Sequence, residues 1–165
     1  MSREEIIKGF MRIAKEEVTE LSSGLNQGYK FAAGLAWCWI SFEAFTCARY
    51  NEDSPRRRID QFYNEFGGRY NQYYNSMPNE FKISMVGLIR YEILDMRPSH
   101  LTDSTIKIED ARNLKQVLNV IYRVRNNLFH GGKNMNEERD MNLVLYCSKV
   151  LYYILEKILR EERLI

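Results

Sequence analysis

The sequence predicts an all-α fold, a compact bundle of five to six helices, from three features. Nearly every segment longer than ten residues repeats its apolar positions at steps of three and four rather than alternating them. Only three prolines interrupt 165 residues. No internal repeat, low-complexity linker or composition shift divides the chain. Residues 1–165 are therefore expected to form one domain, long enough to build a core without metal or disulfide staples.

The first helix should open at Ser2, with Glu5 in capping-box spacing, and run to about Leu21, with Ile6, Phe10 and Ile13 inward and Met11 beside them. SSGLNQG breaks it. A second, unusually apolar helix is expected from about Tyr29 to Tyr50, ended by NEDSP. Pro55 suits the first turn of a third, which should stop at Gly67 and Gly68, and the following RYNQYYNSMP has no clear assignment. A fourth starts at Pro78 and ends before Arg97 and Pro98, and RPSHLTDST reads as a loop. The fifth spans about Ile108 to His130. The sixth opens at Asn134 or Asn136, with Glu137 and Glu138 where the helix dipole favours acids.

Lys and Arg total 24 against 22 Asp and Glu, so a net charge of +2 announces no polyanionic partner, and any basic surface must be local. Cys38, Cys47 and Cys147 are scattered and odd in number, which argues against a disulfide framework or zinc site and for a reducing, cytoplasmic setting. MSREEIIKGF lacks the pattern of a signal peptide. Residues 31–48 approach the length of a membrane span, but Gly34, Ser41, Glu43 and Thr46 dilute them. A buried helix, with no membrane partner, is the expectation.

One position departs from ordinary helix packing. Leu114, Val117, Leu118, Ile121, Val124 and Leu128 define a buried stripe on the fifth helix, and Arg125 falls inside it at roughly 100° per residue. An arginine aimed there needs a carboxylate or an anionic ligand. Glu43, the only charge in the apolar second helix and in line with Ala32, Ala36 and Trp39, is the obvious partner. Such a pair could be purely structural. His130 stands at the helix end, followed by Gly131 and Gly132, where a cap is the simple reading. Asn126 shares its face, and Arg125 flanks both, so a single polar pocket is the alternative.

These residues resemble a known family. RNNLFH, residues 125–130, looks like the R-x4-6-H motif of the HEPN superfamily, with Asn126 as the polar residue that commonly follows the arginine. LFHGGK and the upstream WISFEAF, residues 39–45, extend the likeness to bacterial and archaeal members. The resemblance implies a metal-independent endoribonuclease with no cofactor, acting as a toxin or defence effector on RNA. Attack by the RNA 2′-hydroxyl would leave 2′,3′-cyclic phosphate ends. In that chemistry His130 moves protons, Arg125 stabilises phosphoryl charge, Asn126 orients and Glu43 supports. One histidine cannot serve both sides of a phosphate at once, so the family's two-fold homodimer is expected. The resemblance also implies a nucleotidyltransferase-like antitoxin as a further partner.

Arg56, Arg57 and Arg58 form the one dense basic run. With Arg69 among Tyr63, Tyr70, Tyr73 and Tyr74, and Lys133 past the motif, they are candidates for RNA contact. A solvated arginine face and packed tyrosines are the alternative. Two competing functions stay open: a non-catalytic HEPN-like module binding nucleotide, RNA or protein, and a helical dimerisation protein in which Arg125 and Glu43 are only a buried pair.

Overall fold

The computed structural model describes residues 3–19, 27–94, 105–129 and 137–165. Within them the chain is a helical bundle: α1 (Arg3–Thr19), α2 (Gln27–Tyr50), α3 (Pro55–Asn75), α4 (Asn79–Ile89), α5 (Leu114–Phe129) and α6 (Glu138–Glu161). A short antiparallel pair, β1 (Ile93–Leu94) with β2 (Thr105–Ile106), aligns Ile93 with Ile106 and Leu94 with Thr105. The all-α expectation holds. The fourth helix, predicted to run on to the residues before Arg97, ends at Ile89, and Ile93–Leu94 pair as β1; two-residue strands carry too few positions to show alternation.

α6 packs against every other helix, and α2 against α1, α3, α5 and α6. Six consecutive residues of α6, Val150 to Leu155, are buried, so this helix is enclosed on all sides where the sequence reading gave that place to α2. α2 is long and apolar enough by composition to cross a membrane, and half of its most apolar window is buried in the bundle. Phe31, Leu35, Cys38, Trp39, Phe42 and Phe45 form its inward face.

α1 is turned by one residue from its predicted orientation: Ile7, Met11 and Ala14 are buried, while Ile6, Phe10 and Ile13 are half-buried. Phe10 instead stacks on Trp37 at 5.2 Å, which uses the flank of α1 as a second contact face.

α3 begins as predicted. Ser54 caps it by accepting the Arg57 N–H, and Pro55 occupies the first turn. Asn51, in the left-handed region at φ 47°, makes the preceding reversal. The helix does not stop at Gly67 and Gly68 but runs to Asn75, taking in RYNQYYN. Two helical glycines cost about 1 kcal/mol each relative to alanine. Phe62, Phe66, Tyr70 and Tyr73, spaced by four and three and all buried, outweigh that cost. Phe62 meets Phe42 at 5.1 Å and Phe66 at 4.8 Å, contacts worth about 0.5–1.5 kcal/mol apiece beyond their buried area.

At one end of the bundle the charges are thoroughly paired. Arg49 donates through Nε to both Glu65 oxygens at 2.9 and 2.8 Å and reaches Glu162 at 3.0 Å. Tyr50 donates to Glu65 at 2.8 Å, Arg69 sits 3.4 Å from both Glu161 and Glu162, and the Tyr73 hydroxyl bonds Glu161. The Arg69 guanidinium lies 4.7 Å over the Phe66 ring. Hydrogen bonds from Arg49 hold the Glu65 carboxyl below its ordinary range against the opposing effect of burial.

Candidate active site

α5 starts at Leu114 rather than Ile108, its first turn held by the side chains of Asn113 and Gln116. Asn113 Oδ1 accepts the Gln116 N–H at 3.2 Å, and the Gln116 side-chain oxygen accepts the Glu109 and Asp110 N–H groups at 2.9 and 3.0 Å. From that start the predicted apolar stripe is buried as far as Val124, with Leu114, Val117, Leu118, Ile121 and Val124 at zero exposure, while its last member, Leu128, is half-buried.

Arg125 is half-buried, not sunk in the core. Its long side chain carries the guanidinium out of the stripe, 4.6 Å over the ring of exposed Phe129 and with one terminal nitrogen 3.0 Å from Asn126 Oδ1. Its Nε is buried without a hydrogen-bond partner among the described residues. Asn126 itself is buried at 6% exposure. Arg125 and Asn126 therefore do come together. His130, at the end of the same motif, lies outside the described residues, as does Lys133.

The predicted pairing of Glu43 with Arg125 is not what the structure shows. Glu43 faces Arg58, whose guanidinium lies 3.6 Å from it and also donates to the Glu52 and Asp53 carbonyls at 2.8 and 3.1 Å. The reason is topological: the turn after α2 folds α3 back, so the first turn of α3 is laid along the last turns of α2. Arg58, a candidate for RNA contact, is consequently buried at 6% and fastens two helices together.

Its neighbours differ. Arg57 is exposed, with Glu52 at 3.8 Å, and Arg69 belongs to the paired cluster described above. Tyr70 and Tyr73 are buried, Tyr70 donating to the Ala111 carbonyl at 3.0 Å, so these two rings face the bundle rather than a strand of bases. Arg56 is exposed and opens onto a cleft between α3, β2 and α5 of about 460 Å³, which Lys107, Lys115, Asn119, Tyr122 and Arg123 also line. Sequence reasoning missed this cleft because its cations come from three separated segments.

It also missed Asn127, which is 1% exposed and donates from Nδ2 to the Leu94 carbonyl at 2.8 Å, tying β1 to the motif helix. The signal was present: Val120, Val124 and Asn127 follow one another at steps of four and three, and the two valines are buried. Among the described residues no group of three or more His, Cys, Asp or Glu is disposed to hold a metal ion.

No family model matches the chain, and no curated protein or solved structure matches it either.

Proposed function

We propose that the chain is a metal-independent endoribonuclease of HEPN type, with Arg125, Asn126 and His130 as its reacting constellation. The observation that supports this reading is the state of Arg125: a half-buried guanidinium beside the Asn126 amide, with its Nε unpartnered and no carboxylate partner among the described residues. A buried, unmet donor costs about 1–3 kcal/mol. The Nε of Arg58 is left unmet as well, but the terminal nitrogens of Arg58 reach Glu43 and two backbone carbonyls, whereas Arg125 meets only an amide oxygen. A phosphoryl oxygen offers the missing acceptor and gains charge in the transition state, where the planar guanidinium can stabilise it.

RNA supplies its own nucleophile. His130 would take the 2′-hydroxyl proton or protonate the leaving 5′-oxygen, and a second copy of the chain would bring the histidine for the other role. Asn126 would hold the Arg125 guanidinium in register. Glu43 has no direct part in this scheme; it acts on α3 through Arg58. A toxin or defence role, with a nucleotidyltransferase-like partner as silencer, belongs to the same proposal.

The test is incubation of cellular RNA with the purified protein and its His130→Ala variant in excess EDTA, followed by analysis of the new ends. Cleavage by the wild type alone, with 2′,3′-cyclic phosphate termini, is expected. A folded wild type that leaves RNA intact, or cleavage that EDTA abolishes, overturns the reading.

A further inference from the structure

Lys115, Asn119 and Tyr122 follow one another on α5 at steps of four and three with Arg123 beside them, so one helix face lines the cleft beside α3 and ends two residues ahead of the motif arginine. From Lys115 to Arg123 that face is about 12 Å long at 1.5 Å per residue. Arg56 from α3 and Lys107 from the segment after β2 approach it from the sides. The lining carries four cations, Arg56, Lys107, Lys115 and Arg123, against one carboxylate, Asp60. Asp60 lies 2.8 Å from Lys115, and Lys107 has Glu109 at 3.9 Å, whereas Arg56 has no ion-pair partner among the described residues. Four of the chain's 24 lysines and arginines thus line one concave surface that holds a single carboxylate.

We infer that this cleft is the substrate track, binding the phosphodiester backbone of single-stranded RNA and leading it along α5 to Arg125. The inference rests on the ribonuclease reading and adds to it Lys107, Lys115 and Arg123. It replaces the tyrosine-lined track on α3, whose Tyr70 and Tyr73 face inward. Recognition here is by charge and amide groups: Tyr122 already stacks on Trp39 at 5.4 Å, so the track reads backbone more than bases.

The probe is a fluorescent 2′-O-methyl RNA oligonucleotide, which lacks the reacting hydroxyl, titrated by anisotropy over a range of salt concentrations. The triple variant Arg56→Gln/Lys107→Gln/Arg123→Gln should bind at least tenfold more weakly. Its salt dependence should be shallower by about 0.7 in log–log slope for each phosphate that the variant no longer neutralises. Asp60→Asn, which removes the one lining carboxylate, should bind several-fold more tightly, a gain that misfolding cannot imitate. Lys82→Gln, on exposed α4 surface, should match the wild type.

Triple-variant binding equal to wild type overturns the track. So does a polyglutamate of equal charge that binds as well as the RNA, since the surface would then suit an acidic protein. If the wild type cleaves RNA and the cleft variants cleave it equally well, the track fails while the ribonuclease reading stands. If binding depends on the cleft but no RNA is cut, the track stands and the ribonuclease reading fails.

Discussion

Two groups of arginines in this bundle meet opposite fates. Arg49 and Arg69, where the ends of α2 and α6 meet the middle of α3, are each bound to two glutamates and stacked on phenylalanine rings. Arg125 has one amide, one exposed ring and a buried Nε with nothing to donate to, and Arg56 stands open in a cleft of cations. Both groups are half-buried or exposed arginines on helices, so sequence type does not separate them. What separates them is the carboxylate: where an acid of the chain meets the guanidinium, the arginine is part of the scaffold, as Arg58 is despite its own unmet Nε. Where no acid of the described residues meets it, as at Arg125 and Arg56, an anionic partner is looked for outside.

The sharpest way to break this contrast is to remove one arginine from each group. Arg125→Ala should reduce RNA cleavage by roughly 10²–10³-fold while moving the urea midpoint little. Arg49→Ala should do the reverse, and equal loss of cleavage in both variants would end the distinction. Next in size is Arg58→Ala, which strips α3 of its tie to Glu43 and to two carbonyls. A loss of about 2–3 kcal/mol is expected in urea unfolding, and an unaltered midpoint would remove Arg58 from the scaffold.

Glu65→Gln should cost only about 1 kcal/mol, less at high salt, because its cluster is partly solvated. Its carboxyl titrates lower in the folded than in the unfolded chain. The stabilisation is therefore complete above the unfolded value near about 4.3 and fades as pH falls through the folded one. A wild type and Glu65→Gln pair whose stability difference is flat across acid pH would contradict this. Smallest is Lys115→Gln in the cleft, expected within about 0.5 kcal/mol of wild type in stability. A larger loss would make that lysine a scaffold element through Asp60.

The helices were legible because their apolar periodicity is long and regular, as in Leu114 to Val124. Boundaries were less so: Gly67 and Gly68 read as a stop because local propensity is visible in sequence, whereas the Phe62–Phe66–Tyr70 ladder that overrides it depends on partners from α2. The motif arginine was found by its wrong place in a stripe. Its partner was not, because pairing Glu43 with Arg125 assumed two misplaced charges must meet. The chain reversal at Asn51 delivers Arg58 to Glu43 first. The cleft was hidden for a related reason, since its cations are scattered over positions 56 to 123 and are neighbours only after folding.

The paired glycines give α3 a soft joint. Opening the backbone is easiest where two residues gain the most freedom by leaving the helix, so amide hydrogens around Gly67 and Gly68 should exchange with solvent ahead of those on either side. The two halves are then clamped differently. The first is fastened to α2 through Arg58 and the phenylalanines; the second is fastened to α6 and the residue after it through Arg69 and Tyr73, and to the approach of α5 by the Tyr70 hydroxyl on Ala111. Isotope uptake along this one helix would thus report two events separately: loosening from α2 in its first half, and loosening from α6 and from the segment that leads into the motif helix in its second.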